Sequence, residues 1–117
     1  MKAVTVKSLQ TQAHPQTKMM FWFLFGSSRG SVTRRKIVNQ LKIQPSNNHQ
    51  LAKDLQMDYK SIKHHLEALE KNSLIGKFEA TYGAVYFLLP LFEENNDMFL
   101  EIEEKINSAS QFRSTKR

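Results

Sequence analysis

The spacing of apolar positions changes repeatedly along the chain, and each change marks a predicted element. From Met19 to Phe25 seven large apolar residues follow without a polar break. Such a stretch is expected to be buried on nearly all sides, as a core helix, as half of a dimer interface, or as both. Gly26-Ser27-Ser28-Arg29-Gly30 ends it. A helix then starts near Ser31 or Thr33, places Ile37, Val38 and Leu41 on one face, and stops before Pro45. Asn47 followed by Gln50 reads as the N-terminus of a second, short helix with Leu51, Ala52 and Leu55 inward. Asp58 caps a third, in which Ile62, Leu66 and Leu69 recur at i, i+4 and i+7.

Two short helices joined by a three- or four-residue turn, with Ala52 at the close contact and Ile62 locking the second helix, predict a helix-turn-helix. Once Ile62 is committed inward, Tyr59, Lys60, Lys63 and His64 must face solvent. The first turns of helix 58–71 are thus expected to present a cationic, hydrogen-bonding surface suited to a major groove, while Glu67, Glu70 and Lys71 make an ordinary solvated face. After Ser73 the period shortens. Residues 77–81 and 84–89, rich in aromatic and β-branched residues around Tyr82-Gly83, predict a β-hairpin, and a hairpin directly after such a helix is a wing. Past Pro90, Met98, Phe99, Ile102 and Ile106 mark a last amphipathic helix. Residues 1–17 and 107–117, polar and aperiodic, are expected to be mobile tails around a single domain at 18–106. The fold class is therefore mainly α with a small β-hairpin: a winged helix-turn-helix with extra N-terminal and C-terminal helices.

Charge adds a direction to this outline. The 117 residues carry a formal net charge of +6 and a pI near 9.7, which favours an anionic partner. Residues 1–65 hold eleven Lys and Arg against two acids, net +9, and residues 66–117 hold six against nine, net −3. The anion-binding face is expected in the first part, and the acids from Glu93 to Glu104 should point away from nucleic acid. The absence of cysteine excludes disulfides, thiolate metal sites and cysteine nucleophiles, and suits a reducing, cytoplasmic setting. Seven apolar residues in a row fall well short of the about 20 that span a membrane.

"QLAKDLQMDYKSIKHHLEALEKNSLI" resembles the winged helix-turn-helix of ArsR-like transcriptional regulators, and "FWFLFGSSRGSVTRRKIV" resembles the segment that precedes it in the archaeal branch. The resemblance covers roughly residues 20–106 and includes the "YGAVYFL" wing. It implies a homodimer on double-stranded DNA, with Tyr59, Lys60, Ser61, Lys63 and His64 meeting bases and phosphates. Arg34, Arg35, Lys53 and Tyr82 are added as backbone contacts. Phe21, Trp22, Phe25, Met98, Phe99, Ile102 and Ile106 are expected to form the dimer interface. Two positions depart from the family: Gln56 and Ser73 stand where glycines are common, and Asn72 is the candidate for the left-handed conformation at the second.

Other chemistries find little support in the residues. Of four histidines, the adjacent His64 and His65 lie about 100° apart on a helix and do not converge on one ion, so no metal or other cofactor is expected. His65, beside Leu66, is read as a hydrogen-bonded packing residue. No phosphate-cradling loop or nucleophile motif indicates an enzyme. The alternatives to a regulator are a winged-helix protein-interaction module or a non-specific, chromatin-type DNA-binding protein.

Overall fold

The computed structural model describes residues 4–115, with side chains described for residues 4–109. The chain divides into two compact units: one formed by the residues up to Val32 and from Asn95 onward, the other by Thr33–Glu94.

The second unit follows the predicted order closely. Helix α2 (Ser31–Ile43), which starts at the end of the first unit, is followed by a two-residue strand β1 (Ser46–Asn47), then α3 (Asn48–Leu55) and α4 (Tyr59–Lys71). Strands β2 (Ile75–Ala80) and β3 (Gly83–Leu88) form the hairpin, and α5 (Pro90–Glu94) closes the unit. The sheet order is β1-β3-β2, all antiparallel, with Ser46 opposite Tyr86 and Lys77 opposite the same tyrosine on the other side. Strand β1 was not foreseen, because two residues carry no period. It ties the entry of α3 to the wing. Leu51, Ile62, Leu66, Leu69, Leu74 and Ile75 are fully buried and form the core that α3, α4 and the sheet share. Each such side chain contributes about 1.5–3 kcal/mol when removed from water.

In the first unit, α1 (Pro15–Trp22) continues through a wider π turn at Phe23–Ser27, and α6 runs from Asn96 to Thr115. Phe25 stacks edge-on against Phe99 at 5.0 Å and against Phe21 at 5.5 Å. Phe21, Leu24 and Phe25 are buried, but Met19 is 64 % and Phe23 60 % exposed, so the apolar run is not enclosed all round. Four residues separate Met19 from Phe23, which puts them on one outer face of the helix.

The expected N-terminal tail is tied down over its described part. Leu9 is buried, the backbone N–H groups of Gln10 and Thr11 donate to the Glu101 carboxylate at 2.5 and 3.0 Å, and the Thr11 hydroxyl donates at 2.6 Å. Lys18 and Lys105 donate to the carbonyls of Leu9 and Ser8. His14 caps α1 by accepting from the Gln16 N–H, with Pro15 at the first helical position where its missing donor costs nothing. Burial alone would raise the Glu101 pKa, yet the bonds from Gln10 and Thr11, with Lys105 beside it, hold it below the usual carboxylate value. At the other end, residues 107–115 continue α6 instead of fraying; residues 1–3, 116 and 117 lie outside the described residues. Among the described residues no helix is long and apolar enough to cross a membrane.

Candidate nucleic-acid interface

The interface is built by how α4 is held at both ends. Asp58 accepts from the Ser61 N–H at 3.0 Å and from the Ser61 hydroxyl at 2.7 Å, closing the first turn. These bonds, the hydroxyl first, hold the Asp58 carboxyl below its ordinary range despite its exposure. Ahead of it, α3 ends at Gln56, whose φ of 55° and ψ of 46° are left-handed. The Gln56 N–H donates to Lys53 and the Met57 N–H back to Ala52 at 2.9 Å, a Schellman closure made without glycine. The far end of α4 repeats the device. Ser73 takes φ 61°, the Ser73 N–H donates to Glu70, and the Leu74 N–H returns to Leu69 at 3.1 Å with the Leu74 side chain buried. Asn72, expected to adopt the left-handed conformation, has φ −92° and instead donates its side-chain amide to Ala68 at 2.8 Å.

Between these ends Ile62, Leu66 and Leu69 are fully buried, and the opposite face presents Tyr59 at 44 % exposure with Lys60, Lys63 and His64 also exposed. Ser61 is half-buried, and its hydroxyl proton is committed to Asp58, which leaves it as an acceptor toward any ligand. Lys53 is exposed on α3 and Arg35 half-buried on α2. At the tip of the wing, Gly83 has φ 109°, a turn backbone that an L side chain rarely adopts, and Tyr82 is 86 % exposed.

Arg34 differs from the expectation. It is only 5 % exposed, and its guanidinium lies 3.2 Å from Nδ1 of His65, so it is an interior group and not a surface contact for phosphate. A guanidinium can only donate, so the facing Nδ1 accepts, which fixes the other ring nitrogen of a neutral His65 as the protonated one. Burial first, then the charges of Arg34 and His64, push the His65 pKa down. His65 is thereby the packing residue expected from its place beside Leu66.

The expected dimerisation residues divide by burial. Phe21, Phe25, Met98, Phe99 and Ile102 are fully buried within a single copy, where the aromatic stack and the inner face of α6 consume them. Trp22 and Ile106 keep partial exposure. Among the described residues, the large apolar side chains left exposed in the first unit are Met19, Phe23, Val32 and Leu100.

A feature not foreseen is a cleft of ≈ 240 Å³ lined by Asn48 and His49 of α3, Tyr59 and Lys63 of α4, and Tyr82 and Tyr86 of the wing. The His49 and Tyr59 rings lie 4.8 Å apart and join the starts of the two helices. Only a third dimension could have revealed it, since the lining comes from three separated segments. Among the described residues no group of three metal-ligating side chains is placed to hold an ion.

Two tightly closed helices, a buried Ile62 and a three-stranded wing define the winged helix-turn-helix class. Residues 31–77 match the model of the bacterial regulatory proteins of the arsR family, so this segment is similar to the helix-turn-helix of that DNA-binding, transcription-regulatory family. No curated protein matches significantly. Among solved structures, the chain is similar to a probable transcriptional regulator from Pseudomonas aeruginosa, with 21% identity, TM-score 0.64, and coverage of 87% of this chain and 83% of that one. It is also similar to a mutant of ZitR of Lactococcus lactis in apo form, with 22% identity, TM-score 0.57, and coverage of 74% of this chain and 68% of that one. The adhesin competence repressor AdcR of Streptococcus pyogenes follows with 18% identity and TM-score 0.54, over 71% of this chain and 65% of that one. At these identities the likeness is one of fold.

Proposed function

We propose that this protein is a homodimeric transcriptional regulator that reads the major groove of DNA with helix 58–71 and touches the backbone with wing 77–89. The observation that carries the reading is the split of α4: Ile62, Leu66 and Leu69 lock one face in the core, while Tyr59, Lys60, Lys63 and His64 stand on the other. A helix committed to packing alone has no reason to gather two lysines, a phenol and an imidazole in its first two turns. The match of residues 31–77 to a regulatory family supports the same reading.

Lys60, Lys63, Lys53 and Arg35 supply phosphate contacts, and Tyr59, Ser61 and His64 meet base edges, Ser61 as an acceptor. Dimerisation is supported by Met19, Phe23 and Leu100, large apolar side chains exposed on the helices of the first unit, with Trp22 and Ile106 at partial exposure beside them in sequence. A two-fold pair would set its recognition helices about 34 Å apart, one turn of duplex. The zinc response of ZitR, described as a zinc-responsive MarR family member, is not carried over. This chain has no cysteine.

Filter binding of the purified chain to bulk duplex DNA at low salt tests the reading. Retention that falls steeply as salt rises is expected, by about 0.9 in log affinity per log salt for each neutralised phosphate. No retention at any salt would favour a protein-interaction module instead.

A further inference from the structure

We propose that the cleft between the start of α3, the first turns of α4 and the wing is an anion site that seats one backbone phosphate of bound duplex DNA. This rests on the DNA-binding reading above and adds to it His49 as a direct contact, with Asn48 beside it, joining the wing residue Tyr82 already expected at the backbone. No carboxylate lines the cleft, whereas Lys63, the His49 ring and the hydroxyls of Tyr59 and Tyr82 all offer donors. Burial keeps the Tyr86 phenol protonated by raising its pKa, so it too is a donor and not a charge that would repel an anion. Of the acids on α3 and α4, Asp54 accepts from Gln40, Asp58 caps α4, Glu70 pairs with Lys77 at 3.7 Å, and Glu67 stands exposed outside the lining of the cleft.

Size selects the occupant. At ≈ 240 Å³ the cleft falls below the about 300–1,000 Å³ of pockets that enclose whole small molecules, which fits a single group on a larger ligand. Its lining is continuous with the recognition surface, since Tyr59 and Lys63 belong to both. Asn48, 7 % exposed, keeps an Oδ1 with no hydrogen-bond partner among the described residues, and water brought in with a hydrated phosphate would satisfy it. The His49 and Tyr59 rings, 4.8 Å apart, both line the same space. A phosphate seated there would fix the register of α4 in its groove from one side while the wing tip closes from the other.

The test uses the full chain with His49→Ala and Tyr82→Phe, separately and combined, against a duplex selected by the parent. Both side chains are exposed, so the melting temperature should stay at the parent's. The double variant should bind about tenfold more weakly, with a salt slope close to the parent's because Lys63 is retained. Ethylation interference supplies the direct readout: one ethylated phosphate per half-site that blocks the parent should become harmless to the double variant. Parental affinity and interference pattern in the double variant would overturn the proposal. So would inorganic phosphate that raises the parent's melting temperature while the variants bind DNA unchanged, because the cleft would then serve a free anion. Failure of the parent itself to bind duplex would instead remove the DNA-binding reading.

Discussion

Gln56→Gly should make this protein more stable, although it deletes a side chain and loosens the unfolded chain. Gln56 sits at φ 55° and ψ 46°, between the two helices of the helix-turn-helix. A non-glycine residue in that region carries about 1–2 kcal/mol of steric cost between Cβ and the following carbonyl. Glycine removes it but adds about 0.4–1 kcal/mol of chain entropy to the unfolded state. The backbone bonds that close the turn, Gln56 N–H to Lys53 and Met57 N–H to Ala52, need no side chain and are retained. Gln56 is exposed, so little packing is lost. The balance is a gain of about 0.5–1 kcal/mol, or roughly 2–4 °C in melting temperature for a chain of this size. Gln56→Ala keeps the Cβ and should melt with the parent, which separates backbone relief from loss of the glutamine itself. Ser73→Gly, at φ 61° beyond the other end of α4, should behave like Gln56→Gly, and the two gains should add. Thermal melts followed by circular dichroism decide it. If Gln56→Gly melts at or below the parent temperature, the left-handed backbone is not a cost here and the reasoning fails.

Ile62→Ala, at a fully buried site, should lose about 2–5 kcal/mol to a cavity under the recognition helix, and its DNA affinity should fall only with the unfolded fraction, as parallel melts and titrations would show. His65, with its pKa depressed, favours the neutral ring in the folded state; its contribution is therefore complete above the unfolded value near 6.5 and is lost as pH falls below it toward the folded value. Urea melts from pH 8 to 5 should show that decline in the parent and a shallower one in His65→Gln. Phe23→Glu, on the exposed outer face of α1, should shift light scattering from dimer to monomer without lowering the melting temperature measured at low protein concentration; a monomeric parent at high micromolar concentration would remove the dimer.

What could be read from the sequence was whatever repeats or caps locally. Asp58, the Ile62, Leu66 and Leu69 spacing, and the Asn47 and Gln50 capping pair place α3 and α4 to within a residue. The wing follows from its aromatic strands. Contacts between distant segments left no such trace. Arg34 looks like one more surface cation in Arg34-Arg35-Lys36 until His65 is brought 3.2 Å away. Residues 8–11 look like a tail because their order comes from Glu101 and Lys105, about ninety positions later. An uninterrupted apolar run fixes no inward face by itself, so Phe21 and Phe25 could not be separated from Met19 and Phe23. The cleft itself had no signal: Tyr82 was legible only as the turn of the wing, and His49 belongs to no charged or periodic pattern.

The most direct test of α4 as the DNA reader is fluorescence anisotropy of the parent and of a Lys60→Ala, Lys63→Ala, His64→Ala triple variant, on selected and scrambled duplexes at two salt concentrations. All three side chains are exposed, so the variant should stay folded. The parent should prefer the selected duplex and weaken steeply with salt, while the variant should lose the preference and bind both duplexes weakly, with a slope smaller by about two. A folded triple variant that binds both duplexes as tightly as the parent would contradict the account.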